Sequence, residues 1–103
     1  MDTDRLKEFM CIVNAGSMKR AAEELCCSQS VLSKHIASLE ASLGCRLFNR
    51  GRGGVELTSA GRMVYVRAAR VLYAVSEMRA AAQAAGAEDA RLAGTCIPKR
   101  KET

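Results

Sequence analysis

One short segment carries side chains suited to hydrogen-bonding another molecule, and their spacing groups them together. If residues 28–43 form a helix, one face is polar and cationic, through Gln29, Ser30, Ser33 and Lys34. The opposite face is apolar at helical spacing, through Leu32, Ile36, Leu39 and Leu43. Such a helix has the width and chemistry to enter the major groove of DNA. The alternative is an ordinary amphipathic helix whose polar face, Lys34 included, is simply solvated.

A glycine-rich turn with two arginines follows this segment. Short apolar runs on either side of residues 51–54 predict a β-hairpin, with Arg50 and Arg52 at its tip. Glycines let a backbone come close to phosphate, and arginines favour a narrow minor groove. The hairpin therefore has the composition of a second nucleic-acid contact.

The net charge is +5 at pH 7, and basic residues outnumber acidic ones in this same region of the chain. Between Cys26 and Val55 the acidic residue is Glu40, and the basic residues are Lys34, Arg46, Arg50 and Arg52. A basic segment favours an anionic partner such as nucleic acid. The net charge alone would equally fit an ordinary basic protein.

Other classes of function find little support in the residues. Five cysteines without a CxxC pair, and one histidine, predict no metal, cofactor or disulfide framework. Glu23 and Glu24 point apart on a helix and His35 lacks a partnered nucleophile, so no enzyme and no catalytic residue is predicted. Without a bilayer-length apolar segment or a secretion signal, we expect a cytoplasmic, nucleoid-associated protein that does not contact membranes.

Capping residues delimit three helices in the first half of the chain. Asp2 and Gly16 are placed to begin and end the first, Ser17 begins the second, and Ser28 and Gly44 bound the third. The apolar face of the first helix comprises Leu6, Phe9, Met10 and Val13, and that of the second comprises Met18, Ala21, Ala22 and Leu25.

Thr58 is placed to cap a long fourth helix with an apolar heptad repeat. The repeat is formed by Val64, Ala68, Val71, Val75, Met78 and Ala82. It predicts a coiled-coil seam between two copies of the chain, and the alternative is a helix packed on its own domain. A second stripe is available for that packing, through Tyr65, Ala69 and Leu72.

The order of these elements predicts a mainly α fold. It comprises a winged helix-turn-helix domain at residues 1–58, with three helices and a two-stranded β-wing, and a linker or dimerisation helix at residues 59–86. The apolar pattern decays after Gly86, so residues 87–103 are expected to form a flexible tail.

Several runs of residues also recur together at a characteristic spacing. They are Ala15–Leu25, Ser28–Ile36, Leu39-Glu40, Leu43-Gly44, Leu47–Arg50 and Leu57–Gly61. As a set they resemble the DNA-binding domain of LysR-type transcription regulators, over about residues 4–85. The resemblance implies a homodimer, joined through the linker helix, that binds interrupted palindromes in double-stranded DNA.

The resemblance also implies roles for individual side chains. Contact with base edges is implied for Gln29, Ser30, Ser33 and Lys34. Phosphate contact is implied for Ser28, Arg50 and Thr58, and entry into the minor groove for Arg52. Outside these sets, we expect His35 to lie partly exposed near a phosphate, Arg46 to be structural or solvated, and Glu40 to pair with a neighbour on its own helix.

The sequence departs from the family pattern in a few places. Ser30 stands where the family often has proline, and Met18 where it usually has a larger aromatic or a β-branched residue. The chain stops where an effector-binding domain would begin, so effector sensing and tetramer assembly are not predicted. Two alternatives to an independent regulator stay open, namely hybrid dimers with full-length relatives and a DNA-binding fragment of a longer regulator.

Overall fold

The computed structural model of the protein describes residues 2–49 and 54–93, with side-chain surroundings as far as residue 91. Within this part the helices are α1 (Thr3–Ala15), α2 (Met18–Glu24), α3 (Gln29–Leu43) and α4 (Ser59–Ala93). The mainly helical fold is confirmed. The chain divides into two compact units, Met1–Leu72 and Tyr73–Thr103.

The ends of the first three helices follow from the predicted capping residues. Asp2 begins α1 by accepting the backbone N–H two residues later, at 2.9 Å. The hydroxyl oxygens of Ser17 and Ser28 accept the N–H three residues later, at 3.0 and 3.1 Å. Gly16 and Gly44 end α1 and α3 in the left-handed region, with φ of +79° and +76°, where a residue with a Cβ is strained.

The core of the first unit lies where α1, α2 and α3 meet one another and the start of α4. Its buried side chains are Leu6, Phe9, Ile12, Ala21, Ala22, Leu32, Ile36, Leu39, Leu47 and Ala68. At its centre, the Phe9 ring lies 5.4 Å from that of Phe48 and 6.5 Å from that of Tyr65. On α1, Ile12 is fully buried whereas the predicted Met10 and Val13 are half-buried, because the stripe facing the core steps by three residues from Leu6.

The two-stranded wing predicted between α3 and α4 is not confirmed. We refer to residues 46–49 as the first wing arm and to residues 54–58 as the second. Phe48 and Leu57 form an isolated antiparallel bridge, with a backbone hydrogen bond between the arms on either side, at 2.8 and 3.0 Å. Arms this short are at the lower limit for a ladder. Arg50 and Arg52 lie outside the described residues.

The last helix is longer than the apolar pattern indicates. It passes through Gly86 and ends at Ala93, so the start of the predicted tail is helical instead. One glycine inside a helix costs only about 1 kcal/mol, and charged residues after it add local support, since Arg91 donates to Glu88 at 2.7 Å. The division of the chain at residues 58 and 86 stays a prediction.

Candidate nucleic-acid interface

The polar face of α3 is open to solvent. The predicted base-contacting side chains are all exposed, namely Gln29, Ser30, Ser33 and Lys34. On the other side of the helix Leu32, Ile36 and Leu39 are at most 5% exposed. The helix cannot turn its polar face inward without bringing this apolar stripe into water, so the core holds the polar face outward.

An open cleft of about 480 Å³ runs beside this face, between α3, the start of α2 and the two wing arms. Gln29 and Ser33 line the cleft, whereas Ser30 and Lys34 are not part of its lining. Lys19 on α2 and Asn49 on the first wing arm also line it and are exposed. Neither was assigned from the sequence. The available signal was position, since Lys19 follows the cap of α2 and Asn49 precedes the glycine turn.

Ser28, predicted to hold a phosphate, begins α3 at the exposed end of the same face. Its Oγ accepts the N–H of Val31 at 3.1 Å and lies 3.3 Å from the Oγ of Ser30. A hydroxyl that accepts in a cap keeps its own proton for another acceptor. When Ser30 is the donor in the bond between the two hydroxyls, Ser28 can therefore cap α3 and donate to an anion at the same time.

Thr58, the other described residue predicted to hold a phosphate, begins α4 as expected and joins it to the first wing arm. Its Oγ1 accepts the N–H of Gly61 at 2.9 Å and donates to the carbonyl of Arg46 at 2.7 Å. A hydroxyl has only one proton to donate. A phosphate contact through this group would have to replace its bond to Arg46.

His35 points back to α1, although the sequence indicated a place near phosphate. Its Nδ1 lies 3.0 and 3.2 Å from the two carboxylate oxygens of Glu8. The same carboxylate also pairs with Arg5, through Nε at 3.0 Å. This part-buried group links α3 to α1 from behind the polar face.

Glu40 does not pair with a neighbour on its own helix, which corrects the expectation from the sequence. Its Oε2 accepts the backbone N–H of Leu47 at 2.7 Å and lies 3.4 Å from that of Phe48. The side chain reaches forward to the first wing arm because α3 ends only four residues later, at Gly44. Glu40 also lines the cleft.

The described thiols are free, and the pKa of one of them is raised. Burial first, and then a hydrogen bond to Glu24 at 3.4 Å, raises the pKa of the Cys11 thiol from its usual value of 9.0. The other free cysteines in the described part are Cys26, Cys27 and Cys45. Among these residues no cluster of three His, Cys, Asp or Glu side chains is arranged to hold a metal ion.

The predicted dimer seam on α4 contains both covered and open side chains. Ala68 is 3% exposed and Val64 is half-buried against the core, so these two already serve the packing of α4 on its own unit. Val71 and Met78 are 44% and 62% exposed. Of the remaining seam residues, Val75 is half-buried and Ala82 is exposed.

No helix in the described ranges is long and apolar enough to cross a membrane.

The sequence also matches a known protein family over these helices. The sequence pattern of the bacterial regulatory helix-turn-helix proteins of the lysR family matches residues 3–62, from α1 into the start of α4. The chain belongs to the LysR family. The resemblance carried by Ala15–Leu25 and Ser28–Ile36 is thereby confirmed. Membership covers the helix-turn-helix unit and the residues that line the cleft.

Relatives of this LysR-family chain are described as transcription regulators. It is 41% identical over 80 residues to the SDS degradation transcriptional activation protein of Pseudomonas sp. strain ATCC 19151, covering 78% of this chain and 26% of that protein. It is 42% identical over 72 residues to the nitrogen assimilation regulatory protein nac of Escherichia coli K12, covering 70% of this chain and 24% of that protein. The LysR-family chain thus spans about a quarter of these relatives.

Solved structures of the family share the fold. The DNA complex of the CbnR DNA-binding domain is 35% identical, with a TM-score of 0.79, and the match covers 84% of this chain and 99% of that one. The complex of the BenM DNA-binding domain with benA site 1 DNA is 32% identical, with a TM-score of 0.78, over 84% and 97%. The likeness therefore extends over nearly the whole of both DNA-binding domains.

Proposed function

We propose that this LysR-family chain binds a specific site in duplex DNA as a homodimer, acting on transcription at the cytoplasmic nucleoid. The site is an interrupted palindrome, with α3 in the major groove and the wing at the minor groove. The observation that carries the proposal is the exposed polar face of α3, held outward by the core and flanked by the cleft. The CbnR and BenM domains with this fold were solved with DNA, which supports the same use here.

The chemistry of that face suits base recognition. The amide of Gln29 can pair with adenine, and the ammonium group of Lys34 with guanine O6 and N7, while Ser30 and Ser33 can donate or accept. These side chains carry the sequence preference. The hydroxyl of Ser28 supplies register and affinity through phosphate, and the arginines proposed from the sequence pattern are Arg50 for phosphate and Arg52 for the minor groove.

The dimer is proposed on α4. The exposed seam positions Val71, Met78 and Ala82 follow heptad spacing and leave apolar side chains in water. A twofold dimer would set two α3 helices on half-sites separated by whole helical turns, which explains a palindrome with an interruption. We do not propose hybrid dimers with full-length relatives, because no observation favours them over a homodimer.

The test is capture of genomic fragments by the purified chain at near-physiological salt, followed by sequencing. An enriched interrupted palindrome is expected, whereas enrichment without a motif would mean that the protein binds DNA only through nonspecific electrostatic attraction. Lys34→Ala should relax the preference at one base pair of each half-site by about 1–3 kcal/mol. Lys7→Ala removes the same charge from an exposed position on α1 and should leave every base preference unchanged.

A further inference from the structure

A single residue organises the turn that leads from α3 into the first wing arm. The Oε2 atom of Glu40 accepts the N–H of Leu47 at 2.7 Å and lies 3.4 Å from that of Phe48. The backbone carbonyl of Glu40 accepts the N–H groups of Gly44 at 2.8 Å and Cys45 at 3.2 Å. One residue therefore provides acceptors for the backbone amides at both ends of this turn.

The position of this carboxylate is unusual for a surface that meets DNA. Glu40 lines the cleft together with Gln29 and Ser33, where its negative charge would repel a phosphate backbone. A carboxylate at this position could act in one of two ways: it could accept a hydrogen bond from cytosine N4, or it could accept hydrogen bonds from backbone amides of the protein. The distances favour the second use, since Oε2 is already bound at 2.7 Å to Leu47, whose side chain is fully buried.

We propose that Glu40 is the positioning residue of the wing, an inference that rests on the proposed binding to DNA. The carboxylate ties the first wing arm to the last turns of α3. From Leu47 the connection continues, since its carbonyl accepts the N–H of Thr58 at 3.0 Å and Phe48 bridges Leu57. The two wing arms are thus set relative to α3 before DNA arrives, and binding does not have to order them.

The first test uses the free protein and amide hydrogen exchange. Glu40→Ala removes the acceptor, while Glu40→Gln removes the charge and keeps an acceptor oxygen. In Glu40→Ala the Leu47 amide should exchange about tenfold to a hundredfold faster, the equivalent of a lost hydrogen bond to a charged group. The core amide of Ile12, which reports global unfolding, should accelerate less than that of Leu47, and Glu40→Gln should lie between the wild type and Glu40→Ala. An unchanged Leu47 rate, or an equal acceleration at Ile12, would overturn the proposal.

The second test measures affinity and hydroxyl-radical footprints on the captured site. Glu40→Ala should bind about tenfold more weakly and lose protection where the wing lies, while keeping the base preference beneath α3. Glu40→Gln should restore most of both. The control is Glu23→Ala, which removes an exposed carboxylate from α2 that does not line the cleft and should bind as the wild type does.

Two results would count against this role of Glu40 in DNA binding. A changed base preference in Glu40→Gln would make Glu40 a base-reading residue, and wild-type affinity in Glu40→Ala would make it dispensable. If the wild-type chain captures no specific site, the proposed function fails and the DNA part of this inference fails with it. The exchange rates would still decide whether Glu40 holds the wing in the free protein.

Discussion

Adding one methyl group at Gly61 should destabilise the fold, although alanine is the better helix former. Gly61 lies in the first turn of α4 and is buried. A Cβ at this position would collide with the backbone carbonyl oxygen of Leu47 and lie 2.9 Å from the Cδ2 atom of Leu57. The carbonyl cannot easily move aside, because it accepts the N–H of Thr58 at 3.0 Å and belongs to a fully buried residue.

The magnitude follows from two opposing terms. Replacing glycine by alanine in a helix contributes up to about 1 kcal/mol of stability. Overpacking a core costs about 1–3 kcal/mol, and a collision with fixed backbone belongs at the upper end of that range. Gly61→Ala should therefore lower the free energy of unfolding by about 2 kcal/mol, which corresponds to a fall in Tm of about 10 °C for a small domain.

The assay is thermal and urea unfolding followed by helical circular dichroism. The matched control is Gly86→Ala in the same helix, where an added Cβ meets nothing within 4 Å. That variant should be unchanged or more stable by up to about 1 kcal/mol. The reasoning is refuted if Gly61→Ala is as stable as the wild type, because the close approach of α4 to the first wing arm would then have no energetic consequence.

Two further predictions concern the surface of α4 and a thiol. Val71→Asp should give monomers by light scattering, whereas Ser76→Asp, at an exposed position outside the seam, should leave the dimer intact; a dimer that survives Val71→Asp would move the interface elsewhere. Glu24→Gln should lower the raised pKa of Cys11 and speed its alkylation at about pH 8.5, followed by mass spectrometry. The stability due to the protonated Cys11 is present below pH 9.0 and is lost as the pH rises through the higher folded pKa, and an unchanged alkylation rate would contradict this account.

The features predicted correctly from the sequence are mostly local. Ser17 and Ser28 cap their helices through an N–H three residues away, and Gly16 and Gly44 end theirs by their own backbone conformation. Such interactions depend on neighbours within one turn, so residue type and spacing are enough to predict them. The polar face of α3 was predictable for the same reason, because helical periodicity separates it from the buried stripe.

The features that were missed depend on residues far apart in the chain. Glu40 was expected to pair within its helix, and its bond to Leu47 exists only because the chain turns back after Gly44. His35 was expected to be partly exposed, which it is, but the sequence did not indicate its partner Glu8, which lies on another helix 27 residues earlier in the chain. Periodicity cannot supply such pairs, since it describes one element at a time.

Residue types and their spacing were enough to predict where α1 and α3 begin and end, where α2 begins, which face of α3 is polar, and the family to which the chain belongs. Three features became visible only when the helices were packed together: Val64 and Ala68 pack on their own unit, Gly61 leaves room for a carbonyl, and Glu40 accepts the Leu47 amide of the first wing arm. The difference comes from how far apart along the chain the interacting residues lie. Caps and amphipathic faces arise within a few residues, whereas close packing and the satisfaction of buried amides depend on how separate elements meet.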